Sequence, residues 1–283
     1  MVGDRQGDAE RRPRRASNDR ASSNSGHRRP RDQRGRDQRG GAPRVSGPGR
    51  ARNAQPSDDA QPKNDGPKLP VDVEAKELAP DVRRELVTLD KATADFVARH
   101  LVMAGKLLDE DPETALAHAR AARNRAGRIA VVREAVGIAA YYCGDWAQAL
   151  AELRAARRMG SKSALLPMIA DCERGVGRPE RALELARSDE AAALTGEDAD
   201  ELRIVTAGAR SDLGQFEQAL AILATPPLDP TNVGPTSARL FYVYADTLLA
   251  LDRGDEALQW FMHAAAADVD GITDAEDRIT ELS

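Results

Sequence analysis

Gly144-Asp145-Trp146-Ala147-Gln148-Ala149-Leu150 is a stretch that the chain repeats. Its echoes are Gly177-Arg178-Pro179-Glu180-Arg181-Ala182-Leu183 and Gly214-Gln215-Phe216-Glu217-Gln218-Ala219-Leu220. Fainter copies are Asp111-Pro112-Glu113-Thr114-Ala115-Leu116 and Asp252-Arg253-Gly254-Asp255-Glu256-Ala257-Leu258. The alanines of the Ala-Leu pairs, Ala115, Ala149, Ala182, Ala219 and Ala257, stand 34, 33, 37 and 38 residues apart. A period of this length marks an array in which each supersecondary unit buries its apolar face only against its neighbours.

Around that array the chain is uneven. Residues 1–70 hold 17 Lys/Arg against 9 Asp/Glu, whereas residues 71–283 hold 24 against 37, a net of −13. No aromatic residue precedes Phe96, and residues 1–55 contain only Met1, Val2 and Val45 as sizeable apolar side chains. Such a segment cannot offset its ordering entropy by burial. The expected division is a disordered basic tail and linker over residues 1–70 and a helical repeat domain over residues 71–283. Inside the tail, Arg31-Asp32-Gln33-Arg34-Gly35 is duplicated as Arg36-Asp37-Gln38-Arg39-Gly40 and followed by Gly41. Arg39-Gly40-Gly41 has the form of elements in disordered RNA-binding segments. Arg28, Arg29, Arg31, Arg34, Arg36 and Arg39 are therefore candidate RNA contacts, and a merely solubilising tail is the competing reading.

Apolar residues recur at three- and four-residue steps through the rest, the mark of amphipathic helices. After a short helix at 81–89, Asp90 reads as the N-cap of a helix to about residue 108, with a partner at 113–125. Further pairs are expected at 129–143 with 146–159, 163–176 with 179–194, 199–213 with 216–224, and 237–251 with 255–267. A last acidic helix at 273–282 would cap the stack. Gly144, Gly177 and Gly214 fall between paired helices, where positive φ is needed. Pro226, Pro227, Pro230 and Pro235 account for the longer fourth spacing. The fold class is all-α, a solenoid of about five helix pairs behind a basic tail.

These residues resemble the tetratricopeptide repeat family, whose unit is a 34-residue helix–turn–helix. Gly137 stands at the close-contact position of the first helix, with Ala170, Ala207 and Ala245 elsewhere; Trp146 and Phe216 are the bulky openers of second helices. Ala122, Ala156 and Ala264 close the pattern, and the third unit departs from it with Asp189. The composition, rich in Arg, Ala and Asp, also resembles actinobacterial members with Arg-rich heads. Another α-solenoid or an irregular bundle is the structural alternative. The resemblance implies that the first helices line a concave groove for a protein or peptide. By phase that groove includes His100, Glu134, Tyr141, Asp171, Arg174, Arg239, Tyr242 and Asp246. The Lys/Asn set with which chaperone-binding relatives grip a terminal carboxylate is missing.

Chemistry is expected to be absent. His27, His100, His118 and His263 form no metal-binding spacing, Cys143 and Cys172 read as small buried hydrophobes, and no phosphate-cradling motif occurs. No enzyme activity and no cofactor are expected. The front lacks a secretory apolar run, acids Asp4, Asp8 and Glu10 argue against a transit peptide, and no apolar run is long enough for a membrane span. The expected setting is the cytoplasm.

Overall fold

The computed structural model describes residues 66–161 and 164–283. The basic tail, with Arg28 to Arg39, lies outside the described residues, as does the start expected at residue 163 for one helix.

Every described element is helical. A 3-10 turn at Ala75–Glu77, α1 (Pro80–Glu85) and a second 3-10 turn at Leu86–Thr88 precede the pairs α2 (Lys91–Lys106) with α3 (Pro112–Ala126) and α4 (Ala130–Tyr142) with α5 (Trp146–Arg158). Then come α6 (Leu166–Gly175) with α7 (Pro179–Leu185) and the single turn α8 (Asp189–Ala192), α9 (Glu197–Asp212) with α10 (Phe216–Leu223), and α11 (Pro235–Leu249) with α12 (Gly254–Ala267). The last element is α13 (Ala275–Leu282). Each pair packs on the next, giving the five-unit tetratricopeptide-like stack that the Ala-Leu period announces.

The repeated sequence acts through sterics at the turns. Gly144, Gly177 and Gly214 have φ of 70°, 75° and 69°, and Asp252 takes the same conformation with φ of 59°. At each turn the next N–H returns to the opening helix: Asp145 N to Ala140 O at 2.9 Å, Arg178 N to Glu173 O at 2.8 Å, Gln215 N to Arg210 O at 2.9 Å and Arg253 N to Leu248 O at 3.0 Å. Four helices thus end in one motif that satisfies their last carbonyls.

Small residues set the distance between paired helices. A Cβ on Gly137 would fall 2.6 Å from Leu153 Cγ, so α4 and α5 touch at that point. The matching Ala170, Ala207 and Ala245 are fully buried, as are Ala115, Ala149, Ala219 and Ala257. Ala149→Leu is accordingly expected to cost roughly 1–3 kcal/mol through overpacking. Ala147→Leu, at an exposed position of the same helix, serves as the control; equal losses in urea melts would show that the α4–α5 contact does not depend on small side chains. The neighbouring Gln148 accepts from Arg120 of α3. The residue is half-buried, and its Nε2 is buried without a hydrogen-bond partner.

Two expectations are corrected by local chemistry. The helix expected over 179–194 breaks after Leu185, where Ser188 accepts from Ala191 N at 3.2 Å and starts α8. Asp189, the departure from the repeat pattern, is the first residue of that new turn, and an acid suits a helix start. Cys143 is only half-buried because it is the C-cap of α4, while Cys172 is fully buried. Burial pushes the Cys172 thiol up to about 12, so it is a packing residue and not a nucleophile at neutral pH.

At the ends the stack is closed by its own chain. Arg99 donates to Val73 O at 2.8 Å and Pro70 O at 3.0 Å, and Val73 is buried. Gly66 lies against Ala121, so a truncation that spares these contacts begins at Gly66. At the other end Ala275, Ile279 and Leu282 of α13 pack on the last core cluster, and the acids of α13 face outward.

Candidate functional site

The opening helices α4, α6, α9 and α11 are joined by a ladder of polar side chains, and most of the expected groove residues are its rungs. Tyr141 of α4 donates to Asp171 Oδ2 of α6 at 2.6 Å. Arg174, one turn further along α6, donates to Asp171 Oδ1 at 2.8 Å and to Asp212 of α9 at 2.8 Å and 3.2 Å. Arg239 of α11 pairs with Glu201 of α9, and Thr236 donates to the same carboxylate at 3.0 Å. Asp246 of α11 meets Arg278 of α13 at 3.3 Å. Glu134 accepts from Ser161 at 2.6 Å, tying α4 to the loop before α6.

The structure brings Tyr141, Asp171 and Arg174 together, and the charge of Arg239 also reaches Tyr141. Tyr242 is held against α13, its phenol pushed up to about 12 by burial and by a hydrogen bond to Asp274, while Asp246 stays exposed beside Arg278. His100 is a correction. It is 1% exposed, with Nδ1 2.8 Å from Nδ1 of His118, itself 2% exposed, so it belongs to the core between α2 and α3. Two imidazoles at this distance share one proton, one donating and the other accepting. Burial lowers the His118 pKa, which favours that neutral pair.

Tyr141 stands behind Asp171, and Asp171 and Arg174, with Trp146, Glu180 and Asp212, border a notch of about 630 Å³. Its walls are fixed by two glycines. A Cβ on Gly175 would lie 2.5 Å from the Trp146 ring, so the indole rests flat on α6. A Cβ on Gly208 would lie 2.5 Å from Arg174 Cζ, so the guanidinium rests flat on α9. Tyr141 meets the Trp146 ring edge-on at 5.1 Å between centroids, a favoured aromatic geometry. Burial first, and then the charge of Asp171, hold the Tyr141 phenol well above its usual range, so it remains a donor. Burial works against the charge of Arg174, but the bonds to Asp212 and Asp171 outweigh it and raise its pKa. The site is preorganised before anything binds.

Sequence phase alone identified three of these side chains. Trp146 reads in sequence as a packing opener, Glu180 stands inside an echo of the repeated stretch with no site role implied by it, and Asp212, Gly175 and Gly208 carry no motif. The available signal was the acid at the foot of α9, 38 residues after Arg174, a separation close to one repeat.

Among the described residues, no group of three or more His, Cys, Asp or Glu side chains is set to hold a metal ion, and no helix is long and apolar enough to cross a membrane. No family model matches the chain, and no curated protein matches it. Among solved structures, YrrB, described as a TPR protein with an unusual peptide-binding site, is similar at 20% identity and a TM-score of 0.40. That match covers 62% of this chain and 87% of the other.

Proposed function

We propose that this chain is a non-catalytic, cytoplasmic protein-interaction scaffold of the tetratricopeptide type that receives a protein or peptide on the face of its opening helices. One observation carries the reading: the notch bordered by Trp146, Asp171 and Arg174, in which Tyr141 holds Asp171, and Asp171 and Asp212 hold Arg174. Aromatic and arginine side chains held in place before binding are the usual anchors of protein recognition, because little entropy remains to be lost. Glu134 and Arg239 lie on the same row of helices and extend the surface. A second reading rests on the sequence alone: Arg28, Arg29, Arg31, Arg34, Arg36 and Arg39 take RNA while the repeats take a protein of the same assembly. The acidic charge of residues 71–283 repels RNA from the repeats themselves.

The test is affinity capture from lysate by the full chain and by Glu180→Lys, each with and without nuclease. Glu180 is exposed and has no bonding partner among the described residues, so the expected cost of the substitution is the loss of an acid from the first turn of α7, about 1 kcal/mol or less. The scaffold reading expects protein partners that survive nuclease and are lost with Glu180→Lys. Partners indifferent to Glu180→Lys but lost on nuclease treatment overturn it in favour of RNA.

A further inference from the structure

We infer that the notch between α5, α6 and α9 seats a cationic side chain, lysine or arginine, of a basic partner segment. The inference rests on the scaffold reading and names its ligand chemistry. Three carboxylates, Asp171, Glu180 and Asp212, border the notch against one guanidinium, that of Arg174. The Arg174 charge is already spent, since its Nε and both terminal nitrogens donate to Asp171 and Asp212. An incoming anion would find no cation to meet and three carboxylates to repel it. An incoming cation finds the Glu180 carboxylate without a partner among the described residues and the outer lone pairs of Asp212, which is 37% exposed.

The surroundings act in the same direction. Residues 191–283 carry 17 Asp/Glu and five Arg, with no Lys. Each of those arginines is engaged: Arg203 on the carbonyls ending α10, Arg210 on Gln215, Arg239 on Glu201, Arg253 on Glu256 and Arg278 on Asp246. The notch opens beside a half of the stack with strong negative charge, which raises the local concentration of cationic groups and their rate of arrival. Its volume falls within the roughly 300–1,000 Å³ of ordinary binding clefts, enough for one long side chain and the backbone bearing it. Trp146 at the rim offers apolar area to the alkyl stem.

The experiment uses the full chain and dodecapeptides in three matched sets, bearing Arg/Lys, Gln or Glu at the same positions, with binding read by fluorescence anisotropy. The expected result is preference for the basic set, weakened about tenfold by Asp212→Asn with Glu180→Gln. Glu180→Gln alone, which touches no structural bond, should weaken it about threefold. A full-length variant carrying Arg28→Gln, Arg29→Gln, Arg31→Gln, Arg34→Gln, Arg36→Gln and Arg39→Gln is run in parallel. Binding of basic peptides by this variant alone also supports the inference, with the chain's own arginines as the competitor. Binding without charge preference, or preference for the acidic set, overturns the inference and leaves the scaffold reading standing. No binding of any set by either protein overturns both.

Discussion

Arg154→Met is expected to lower the unfolding free energy by about 3 kcal/mol, although Arg154 is itself 42% exposed. The reason lies in its partner. Glu173 sits on α6 at 1% exposure, paired with Arg154 of α5, while Arg178 approaches only to 3.7 Å. Its second oxygen, Oε2, has no hydrogen-bond partner. Removing the Arg154 guanidinium leaves a buried carboxylate with one distant cation, and an uncompensated buried charge costs far more than the pair contributes. The low end of the usual range applies because water reaches the Arg154 side. Glu173→Gln in the same background removes the charge and should recover most of the loss, so the double variant is more stable than Arg154→Met alone. Chemical denaturation of the four proteins of this cycle measures both effects. An Arg154→Met variant within 1 kcal/mol of the parent, or a double variant less stable than the single, would show that Glu173 is solvated through Arg178 and not held by α5.

The same logic recurs one unit earlier, where Glu152, 6% exposed, accepts from both Arg123 of α3 and Arg133 of α4. Buried acids clamped between consecutive units therefore recur in this stack, and they set register as well as stability. None of them was legible in the sequence. A period of 33–38 residues reveals which positions are equivalent, and so the turns at Gly144, Gly177 and Gly214 and the buried Ala149 and Ala219 could be read directly. It does not reveal which side chains of one unit reach the next. Glu152 and Glu173 differ in phase from the Ala-Leu pairs and look like ordinary solvent-facing acids. The His100–His118 pair escaped for a related reason: the two residues face each other across antiparallel helices, 18 positions apart, with no fixed local spacing.

The notch was partly legible because Tyr141, Asp171 and Arg174 lie on the exposed phase of opening helices. Its walls were not, because Gly175 and Gly208 matter only through what lies on them. The break at Ser188 was available in principle: Ser188-Asp189-Glu190 is a helix-start signature. The apolar spacing of Leu183 and Leu194, about three full turns apart, concealed it by continuing the helical period across the break.

Phe261→Ala is expected to have the other large effect, about 3–5 kcal/mol, and to confine it to one end of the molecule. Phe261 is fully buried in the last core cluster, with the Tyr242 ring edge-on at 5.2 Å and the Arg278 guanidinium 5.3 Å from its centroid. It is the side chain on which α11, α12 and α13 converge. In an array whose units couple only to neighbours, a deep cavity in a terminal unit frays that unit before the rest unfolds. The chain supplies its own reporters, since Trp260 lies on α12 beside Phe241 and Tyr244, and Trp146 lies at the notch on α5. Trp146→Phe and Trp260→Phe versions isolate each signal. In the parent the two signals should melt together or nearly so. With Phe261→Ala, the Trp260 signal should fall at clearly lower denaturant than the Trp146 signal, and hydrogen exchange should accelerate in α11 to α13 while α4 and α5 keep their protection. Two superimposed transitions, both shifted by the full amount, would show that the stack unfolds as one cooperative body. The buried clamps at Glu152 and Glu173 would then join units more strongly than nearest-neighbour packing alone.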